Sequence, residues 1–440
     1  MQELVIRGGR PLEGTVRASG AKNAALPIMA ASLLTEGTTV LRGVPRLKDV
    51  ATMSAILRAL GTELEWSGAG VLHLRSSGAK GTVAPYELVR QMRASICLLG
   101  PLLARRGAAA MPLPGGCVIG DRPINLHLKG LRALGATIEE DEHQLYGQAG
   151  ALRGSRIDLA GPHGSTVLGT ANVMMAAALA EGATVIEHAA REPEVQDLAR
   201  FLRACGADVT GIGTGTLTIT GTRRLQGTEY SLIPDRIEAA TFLAAGAITG
   251  GDVTIEGVRP DHMESTIRAM ERMGVALTVR ERSVRATTSD RLGAAELVTA
   301  PYPGLPTDVQ PQLSALLSLA DGVSTVREIV YPDRFTHVPA LRRLGASIVR
   351  KGAQAAIQGV DHLEGGPVAA ADLRAGAALV LAGLAAEGVT RVSGVDQIDR
   401  GYDALEQRLG ELGADISRRN VEWTLRREPD DWQDGERKPA

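Results

Sequence analysis

The chain has few aromatic residues, few cysteines and no excess of positive charge. Phe, Trp and Tyr make up 3% of its 440 residues, so its cores must be built from aliphatic side chains. Three cysteines in so long a chain are too few for a disulfide framework. With 48 basic and 50 acidic residues, the formal net charge is −2. This balance argues against the basic surface that a nucleic-acid partner would need.

Long apolar runs are also missing. The N-terminal stretch MQELVIRGGR has no apolar signal region, and no apolar run reaches the length that spans a bilayer. We therefore expect a cytoplasmic protein without a membrane span. What the chain does have is a length of 440 residues, enough for two or three domains, an apolar content of 44% that can fill their cores, and 52 glycines, which indicate many tight turns.

A phrase that reads as a helix end, a glycine and a strand recurs six times. The copies are LRALGTEL, LRALGATI, LRACGADV, MERMGVAL, LRRLGASI and LGELGADI. Their glycines are Gly61, Gly135, Gly206, Gly274, Gly345 and Gly413, at successive spacings of 74, 71, 68, 71 and 68 residues. Solenoid repeats usually have shorter periods of roughly 20 to 50 residues. The spacing therefore predicts six small α/β units, grouped three and three.

A second phrase, again a helix followed by a glycine and a strand, recurs in step with the first. Clear copies are LTEGTTVLRGV, LAEGATVIEHA, ITGGDVTIEGV, LADGVSTVREI and AAEGVTRVSGV. Together the two phrases predict the order β-α-β-α-β-β in each unit. The copy LARRGAAAMPL is degraded and leads directly into PLPGGCVIGDRP. One departure from the repeat thus coincides with a loop in which a function could have been added.

The loop PLPGGCVIGDRP places a thiol, Cys117, after two glycines and five residues before Arg122. Nearby cations would lower the pKa of such a thiol and allow it to exchange a proton near neutrality. From these residues alone, an ordinary loop cysteine fits equally well. Neither the three cysteines nor the eight histidines have metal-ligand spacing, so no metal or cofactor is predicted.

The repeat and its motifs resemble the enolpyruvyl transferases from near the N-terminus to about residue 425. The specific phrases are SGAKNAALP, MRASICLLGPL, LPGGCVIGDRP, AAREPE, PDRIEAATFL, TAPYPGLPTDVQPQ, DRFTHVP, DLRAGAALVLAG and IDRGYDALE. The resemblance implies an α/β fold of two inside-out α/β domains, each of three βαβαββ repeats, with the active site in the interdomain cleft. The expected domains are 22–232, and 1–21 with 233–427. The charged segment 428–440 is expected to be disordered.

The resemblance is strongest to members that act on UDP-N-acetylglucosamine. It implies transfer of the enolpyruvyl group of phosphoenolpyruvate to the sugar 3-hydroxyl, with release of phosphate, as the first committed step of peptidoglycan synthesis. The two small-molecule substrates are then the expected partners, and no cofactor is implied.

The resemblance also implies roles for individual residues. Cys117 is the expected proton donor to the enolpyruvyl carbon, and Asp308 the expected base for the sugar hydroxyl. An N-cap aspartate is an alternative reading of Asp308. Lys22, Arg122 and Arg400 are expected to hold the phosphate and carboxylate of phosphoenolpyruvate. The residues implied in catalysis are Cys117, Asp308, Lys22, Arg400 and Asp372. The residues implied in substrate binding are Lys22, Asn23, Arg93, Arg122, Pro123, Ile124, Asn125, Leu126, Ser165, Thr166, Val167, Asp308, Val330, Arg334, Arg374 and Arg400.

Two departures from the family pattern concern the nucleotide. Asn125 stands where the family usually has aspartate, so an amide would make that uridine contact. The stretch HGSTVLGTANV lacks the usual lysine. The backbone amides of Ser165, Thr166 and Val167 are expected to hold the nucleotide instead, with His163 supplying part of the missing donor.

Two alternatives stay open at this point. One is a paralogous enolpyruvyl transferase that acts on a different nucleotide or sugar. The other is a catalytically silent protein that binds a sugar nucleotide, although the joint presence of Lys22, Cys117, Asp308 and Arg400 argues against it. The related shikimate-pathway transferase fits less well because it has no counterpart of the cysteine loop.

Overall fold

The structure is a computed structural model that describes residues 2–76, 78, 80–115, 120, 122–288 and 290–420. Two predictions lie outside the described residues: the role of Cys117 and the disorder of segment 428–440. Among the described helices, none combines the length and the apolar content that crossing a membrane requires.

The strands are short and mostly carry alternating buried and exposed residues, as expected for sheets with one face against a core. In chain order they are β1 (Gln2–Arg7), β2 (Glu13–Arg17), β3 (Thr35–Glu36), β4 (Thr38–Arg42), β5 (Glu63–Trp66), β6 (Val71–Arg75), β7 (Ala108–Pro112), β8 (Thr137–Glu140), β9 (Gln144–Gln148), β10 (Arg156–Asp158), β11 (Ala160–Gly161), β12 (Gly164–Ser165), β13 (Ala183–Glu187), β14 (Asp208–Thr210), β15 (Thr216–Thr220), β16 (Leu225–Gln226), β17 (Glu229–Ser231), β18 (Asp252–Glu256), β19 (Ala276–Arg280), β20 (Ser283–Thr287), β21 (Glu296–Val298), β22 (Val323–Arg327), β23 (Ser347–Lys351), β24 (Gln354–Gln358), β25 (Pro367–Ala369), β26 (Val389–Ser393) and β27 (Asp415–Asn420).

The helices are of two kinds, nearly fully buried or amphipathic. In chain order they are α1 (Lys22–Ala31), α2 (Lys48–Ala59), α3 (Tyr86–Val89), α4 (Leu99–Arg106), α5 (Asn125–Ala133), α6 (Val167–Ala177), α7 (Pro193–Ala204), α8 (Arg236–Ile248), α9 (Glu264–Arg272), α10 (Gln310–Leu317), α11 (Val338–Arg343), α12 (Leu373–Ala385), α13 (Val395–Ile398) and α14 (Leu405–Glu411), with 3₁₀ turns over Ser32–Leu34, Arg93–Leu98 and Pro260–His262. Helices α8 and α10 are buried all round, whereas α9 buries only one side. A helix that is apolar all round belongs inside a core.

The sheets repeat one topology. In the six larger sheets, a central strand pairs in parallel with one edge strand and antiparallel with a further pair of antiparallel strands, which is a hairpin in five of them and β1 with β27 in the last. The orders are β17-β4-β6-β5, β7-β9-β8, β10-β13-β15-β14, β2-β18-β20-β19, β21-β22-β24-β23 and β25-β26-β1-β27. In the second of these, Val83 makes a parallel bridge to Ala110 in the place of the edge strand. The degraded second copy of the repeat therefore still forms a unit of the same kind.

The chain follows the predicted order directly in the fifth unit, as β21, α10, β22, α11, β23 and β24. The glycines of the first repeated phrase have φ between +91° and +103° in all six units. Only glycine adopts such values without strain, which explains why the same residue ends each of these helices. The prediction of an α/β fold is confirmed.

Two clusters of buried apolar residues form the cores. One gathers residues between 21 and 233, and the other gathers residues 4–16 and 237–412. In the second cluster the nearly fully buried helices α8, α10 and α12 pack against one another. We propose that each cluster is the core of one domain.

The chain passes between the two cores at two adjacent points. Gly20 forms an antiparallel bridge with Pro234, and the amide of Asp235 donates to the carbonyl of Ser19. Strands β1 and β2 precede the first crossing and complete the last and the fourth sheets, whose other strands follow the second crossing, whereas β17 closes the first sheet within its own core. The two passages therefore run side by side and bring the two cores together at one edge.

Candidate active site

A cleft between the two cores contains two adjoining cavities, of about 230 Å³ and about 360 Å³. The first is lined from both cores and the second mainly from the first core. Residues that line both are Arg93, Arg122, Val167, Leu168, Glu192, Pro301, Val330 and Tyr331. Because they share these lining residues, the two cavities form one continuous cleft in which two ligands, or two parts of one ligand, could lie side by side.

Most of the residues predicted from the sequence line this cleft. The first cavity is lined by Lys22, Asn23, Arg93, Arg122, Val167, Asp308, Val330, Arg334, Asp372, Arg374 and Arg400. The second is lined by Arg93, Arg122, Pro123, Asn125, Leu126, Ser165, Thr166, Val167 and Val330. Ile124 lines neither of these cavities, because it caps α5 and its side chain packs against the first core.

A carboxylate holds two of the predicted cations together. Lys22 is the first residue of α1, and its Nζ lies 3.1 Å from Oδ2 of Asp49. Arg400 comes from the other core and donates from Nε to Oδ1 of Asp49 at 2.9 Å. Burial alone would raise the pKa of Asp49, but the charges of Lys22 and Arg400 outweigh burial and hold it below its ordinary value. The cluster therefore presents a net positive charge to the cleft.

Asp308 is held between two arginines of its own core. Its Oδ1 accepts from Arg334 at 2.6 Å and its Oδ2 from Arg374 at 3.0 Å. Both guanidinium groups are buried, whereas 27% of the Asp308 side chain stays exposed in the cleft. Burial favours the neutral acid, yet the two guanidinium groups lower the pKa of Asp308 well below its ordinary range. The N-cap reading of Asp308 is wrong, because α10 begins at Gln310 and Val309 is its cap.

This pairing limits Asp308 as a base in the structure as it stands. A general base works best when its pKa is close to the operating pH. A carboxylate that shares its charge with two guanidinium groups is a good hydrogen-bond acceptor but a weak proton acceptor. Asp308 is thus placed to accept a hydrogen bond from a hydroxyl in the cleft and would take its proton only with the reaction under way.

Asp372 has the contacts of a helix cap. Its Oδ1 accepts from the backbone amides of Arg374 at 2.9 Å and Ala375 at 3.1 Å, and its Oδ2 accepts from the hydroxyl of Thr336. A carboxylate whose oxygens are both engaged in this way orients α12 and with it the Arg374 side chain. The predicted catalytic role of Asp372 therefore has no direct support in its contacts.

The stretch that lacks the family lysine forms a small hairpin that leads into α6. Strands β11 and β12 pair, and Thr166 caps α6 by accepting from the amide of Gly169 at 3.2 Å. Gly164 has φ of +102°, and a side chain there would meet Pro301 at 2.7 Å. Position 164 therefore has no room for a lysine, while His163 lines the second cavity.

Arg93 holds the two ends of the cysteine loop. Its guanidinium group donates to the carbonyl of Pro114 at 3.3 Å and also to the carbonyl of Arg122. Cys117, between these ends, lies outside the described residues. The other two cysteines are structural: burial raises the pKa of the Cys97 and Cys205 thiols to about 12, so both stay protonated near neutrality.

Sequence reasoning also missed a buried ion pair in the lining of the first cavity. Arg236 donates to both oxygens of Glu194, at 2.9 and 3.2 Å. Glu192 accepts from the amide of Tyr302 at 3.3 Å, while its Oε2 has no hydrogen-bond partner among the described residues. Burial is the main cause of a raised pKa at Glu192. The cleft thus contains carboxyl groups whose pKa values are shifted in opposite directions.

The sequence carried only a weak signal for the missed acids. Asp49 and Glu194 are each the second residue of a helix, α2 and α7, at equivalent places in two repeats. Acidic residues are common in the first turn of a helix because they interact favourably with its dipole. Nothing in the local sequence indicates that each acid would meet an arginine from the other core.

Comparison with known proteins identifies the family. The sequence pattern of the family described as EPSP synthase (3-phosphoshikimate 1-carboxyvinyltransferase) matches residues 6–409. The chain belongs to this family of enolpyruvyl transferases. The sequence-based identification of the family, and of the protein as an enzyme, is confirmed.

Curated relatives within the family are similar over almost their full length. A UDP-N-acetylglucosamine 1-carboxyvinyltransferase from Methylacidiphilum infernorum (isolate V4) is 50% identical over 418 residues, which cover 95% of this chain and 99% of that protein. Proteins with the same name from Halorhodospira halophila (strain DSM 244 / SL1) and Myxococcus xanthus (strain DK1622) are 49% and 48% identical, with the same coverage.

Solved structures of the family share the fold. The enolpyruvyl transferase NikO from Streptomyces tendae superimposes with a TM-score of 0.86 at 28% identity, covering 95% of this chain and 98% of that chain. An EPSP synthase from Acinetobacter baumannii gives a TM-score of 0.74 at 21% identity, covering 96% of this chain and 100% of that chain, and supports the fold alone.

Proposed function

We infer that this protein transfers the enolpyruvyl group of phosphoenolpyruvate to the 3-hydroxyl of UDP-N-acetylglucosamine and releases phosphate. The observation that carries this inference is the set of relatives at 47–50% identity over 95% of the chain, all named for this reaction. The cleft supports it, because one cavity is rich in cations and the adjoining one is open and less charged.

We assign phosphoenolpyruvate to the first cavity. Lys22 and Arg400 meet there at Asp49, and Arg122 lies with its guanidinium carbon 5.2 Å from the centre of the Tyr331 ring. A small ligand with a phosphate and a carboxylate needs several cationic donors from more than one direction. These cations come from both cores, so bound phosphoenolpyruvate would touch both walls.

The second cavity is then the site of the sugar nucleotide. Asn125 opens α5 there, and Thr166 and Val167 open α6. The first amides of a helix lack partners inside the helix, and they favour an anionic group such as a diphosphate. This supports the proposal that backbone amides take the place of the absent lysine.

The reaction requires two proton transfers: the sugar hydroxyl loses one proton, and the methylene carbon of phosphoenolpyruvate gains one. The sugar hydroxyl oxygen bonds to the central carbon of phosphoenolpyruvate while the methylene carbon gains a proton and becomes a methyl group. The methyl group then returns a proton to the group that supplied it, the carbon–oxygen bond to phosphate breaks, the double bond forms again, and the departing phosphate takes up the proton that came from the hydroxyl. We propose Asp308 as the group that orients the hydroxyl and receives its proton, and Cys117 as the donor to the methylene carbon.

This reaction would place the protein in the cytoplasm, at the first committed step of peptidoglycan synthesis and cell wall biogenesis. Through the wall it would affect cell shape, the cell cycle and cell division. These roles follow from the product of the proposed reaction.

Phosphate release tests the proposed function. The purified protein is given phosphoenolpyruvate with each member of a panel of UDP-sugars, and phosphate is measured with time. We expect release with UDP-N-acetylglucosamine and little with UDP-glucose. Cys117→Ala should lower turnover by about 10²–10⁴-fold if the thiol exchanges the proton, whereas Cys205→Ala serves as the control for loss of a thiol. Release with a different sugar nucleotide would contradict the assigned acceptor.

A further inference from the structure

A seam joins the two cores beside the first cavity. The start of α2 belongs to the first core, and it meets residues 396–403 of the second. The amide of Lys48 donates to the carbonyl of Asp399 at 3.0 Å, and the amide of Arg46 donates to the carboxylate of Asp403 at 3.4 Å. The Lys48 ammonium lies 3.4 Å from Asp396. The segment that carries Arg400 is therefore docked on the first core.

Asp49 lies at the inner end of this seam. Its side chain is only 6% exposed, and each of its oxygens accepts from a different core: Oδ2 from Lys22 and Oδ1 from Arg400. The two cations are 10% and 12% exposed, so water screens neither of them well. Two buried positive charges without an anion between them repel one another and resist being brought together.

We propose that Asp49 is a positioning residue. By accepting from Lys22 of the first core and Arg400 of the second, it brings the two phosphoenolpyruvate-binding cations together where the two cores meet. Lys22 and Arg400 lie in different cores, so neither core alone carries the pair. The Asp49 carboxylate fixes the separation and the direction of the two cationic groups. It accepts a hydrogen bond from one of the three N–H donors of the Lys22 ammonium. This inference rests on the proposed function for the identity of the anion, and on the observed contacts for the geometry.

The direction in which Asp49→Asn changes anion binding distinguishes a positioning role from a purely electrostatic one. Asp49→Asn removes a negative charge from an anion-binding cavity, so electrostatics alone predicts tighter anion binding. Positioning predicts weaker binding, because the asparagine amide cannot accept from both cations as the carboxylate does. We expect the KM for phosphoenolpyruvate to rise about tenfold or more, the change that follows loss of one charge-assisted hydrogen bond. The KM for the sugar nucleotide should change less than about threefold.

Calorimetry with inorganic phosphate measures the same property without turnover. Phosphate should bind the wild-type protein more tightly than it binds Asp49→Asn. Equal or tighter binding by the variant would overturn the proposal. If the wild-type protein turned over no UDP-sugar, the proposed function would fail, yet the phosphate titration would still decide the role of Asp49.

Two further variants complete the test. Asp396→Asn removes the exposed partner of Lys48 in the same seam, and it should leave both KM values within about twofold of wild type. An equal rise of the phosphoenolpyruvate KM in this variant would assign the effect to the whole seam and contradict the proposal. Asp49→Glu keeps a negative charge between the two cations and is therefore a control for misfolding caused by unpaired buried charge. Its longer side chain should displace the cations and raise the KM for phosphoenolpyruvate. An unchanged KM in a folded Asp49→Glu protein would also count against positioning.

Discussion

Asp49 and Glu194 occupy equivalent places in two repeats, yet they hold their arginines in different ways. Glu194 makes a two-pronged pair with Arg236, at 2.9 and 3.2 Å, in which both side chains are less than 10% exposed. Asp49 instead shares its two oxygens between Arg400 and Lys22. Each acid joins the first core to an arginine of the second, and both contacts line the first cavity.

The difference between the two contacts shows that the same position of the repeat, the second residue of α2 and of α7, serves two purposes. The repeat supplies a helix start with an acid in its first turn, which is favourable by itself. At Glu194 the acid is fully matched to one guanidinium group, as in a structural pair. At Asp49 one carboxylate faces two cations, so the charges of these three side chains sum to a positive value beside the first cavity. We therefore expect loss of Glu194 to affect stability most, and loss of Asp49 to affect binding of phosphoenolpyruvate most.

The largest effect should come from Asp308, which is held between two cations as Asp49 is. Asp308→Asn keeps the size of the side chain and removes the proton acceptor. Turnover should fall by about 10²–10⁴-fold, while affinity for the sugar nucleotide should change little. Steady-state kinetics with both substrates varied, together with a thermal melt, would separate this from unfolding. A rise in the KM for either substrate without a fall in turnover would show that Asp308 binds substrate and does not act as the base.

Glu194→Gln should give the largest loss of stability. Removing one partner of a buried pair leaves the other charge uncompensated, which costs about 3–5 kcal/mol. Urea unfolding at pH 7 would measure the change, with Asp49→Asn as the matched variant. The KM for phosphoenolpyruvate should rise less in Glu194→Gln than in Asp49→Asn. If the two variants proved interchangeable in both measurements, the distinction between the two pairs would be wrong.

Acid sensitivity provides a second comparison between the cores, since each has a buried histidine. Burial lowers the pKa of His127 and of His337 to about 3. Such a histidine stays neutral in the folded protein but takes up a proton in the unfolded chain below about pH 6.5. Stability is therefore lost as the pH falls from about 6.5 towards 3. Each histidine should contribute about 2 kcal/mol to the loss between pH 7 and pH 5.

The two histidines should differ when replaced. His127 is paired with the side-chain amide of Asn172 at 3.1 Å, whereas neither ring nitrogen of His337 has a partner among the described residues. His337→Phe should therefore cost less at pH 7 than His127→Phe does, and both should reduce the loss on going to pH 5. Unfolding curves at the two pH values test this. A pH dependence that His337→Phe leaves unaltered would show that this histidine does not titrate on unfolding.

The smallest effect should come from the outer end of the Asp49 seam. Lys48 and Asp396 are 47% and 60% exposed, and exposed ion pairs contribute less than about 1 kcal/mol. Lys48→Ala should lower the free energy of unfolding by less than that, and raising the salt concentration should make the difference smaller still. A larger loss in the same urea experiment would mean that the seam acts as one unit and that Asp49 is not its principal contact.

The local order of this fold could be predicted from the sequence because it depends on short-range rules. Repeated helix ends, each closed by a glycine with positive φ, and alternating strands with buried and exposed residues account for the α/β units and their period. The resemblance to the family then pointed to residues such as Lys22, Asp308 and Arg400, which line the cleft. The role of Asp308 as a base, however, was expected without the two arginines that restrain its proton affinity.

What the sequence determined by itself is the repeat, the apolar helices that must be buried and the set of charged residues near helix starts. Only the tertiary structure decided which charges meet. Asp49 and Arg400 are 351 residues apart in the chain, and Glu194 and Arg236 are 42 apart. Such pairs form because two cores come together along one cleft, and the energy of a buried charge depends on what lies across that cleft. Tertiary packing also excludes a side chain at Gly164, where positive φ and the contact with Pro301 leave no room.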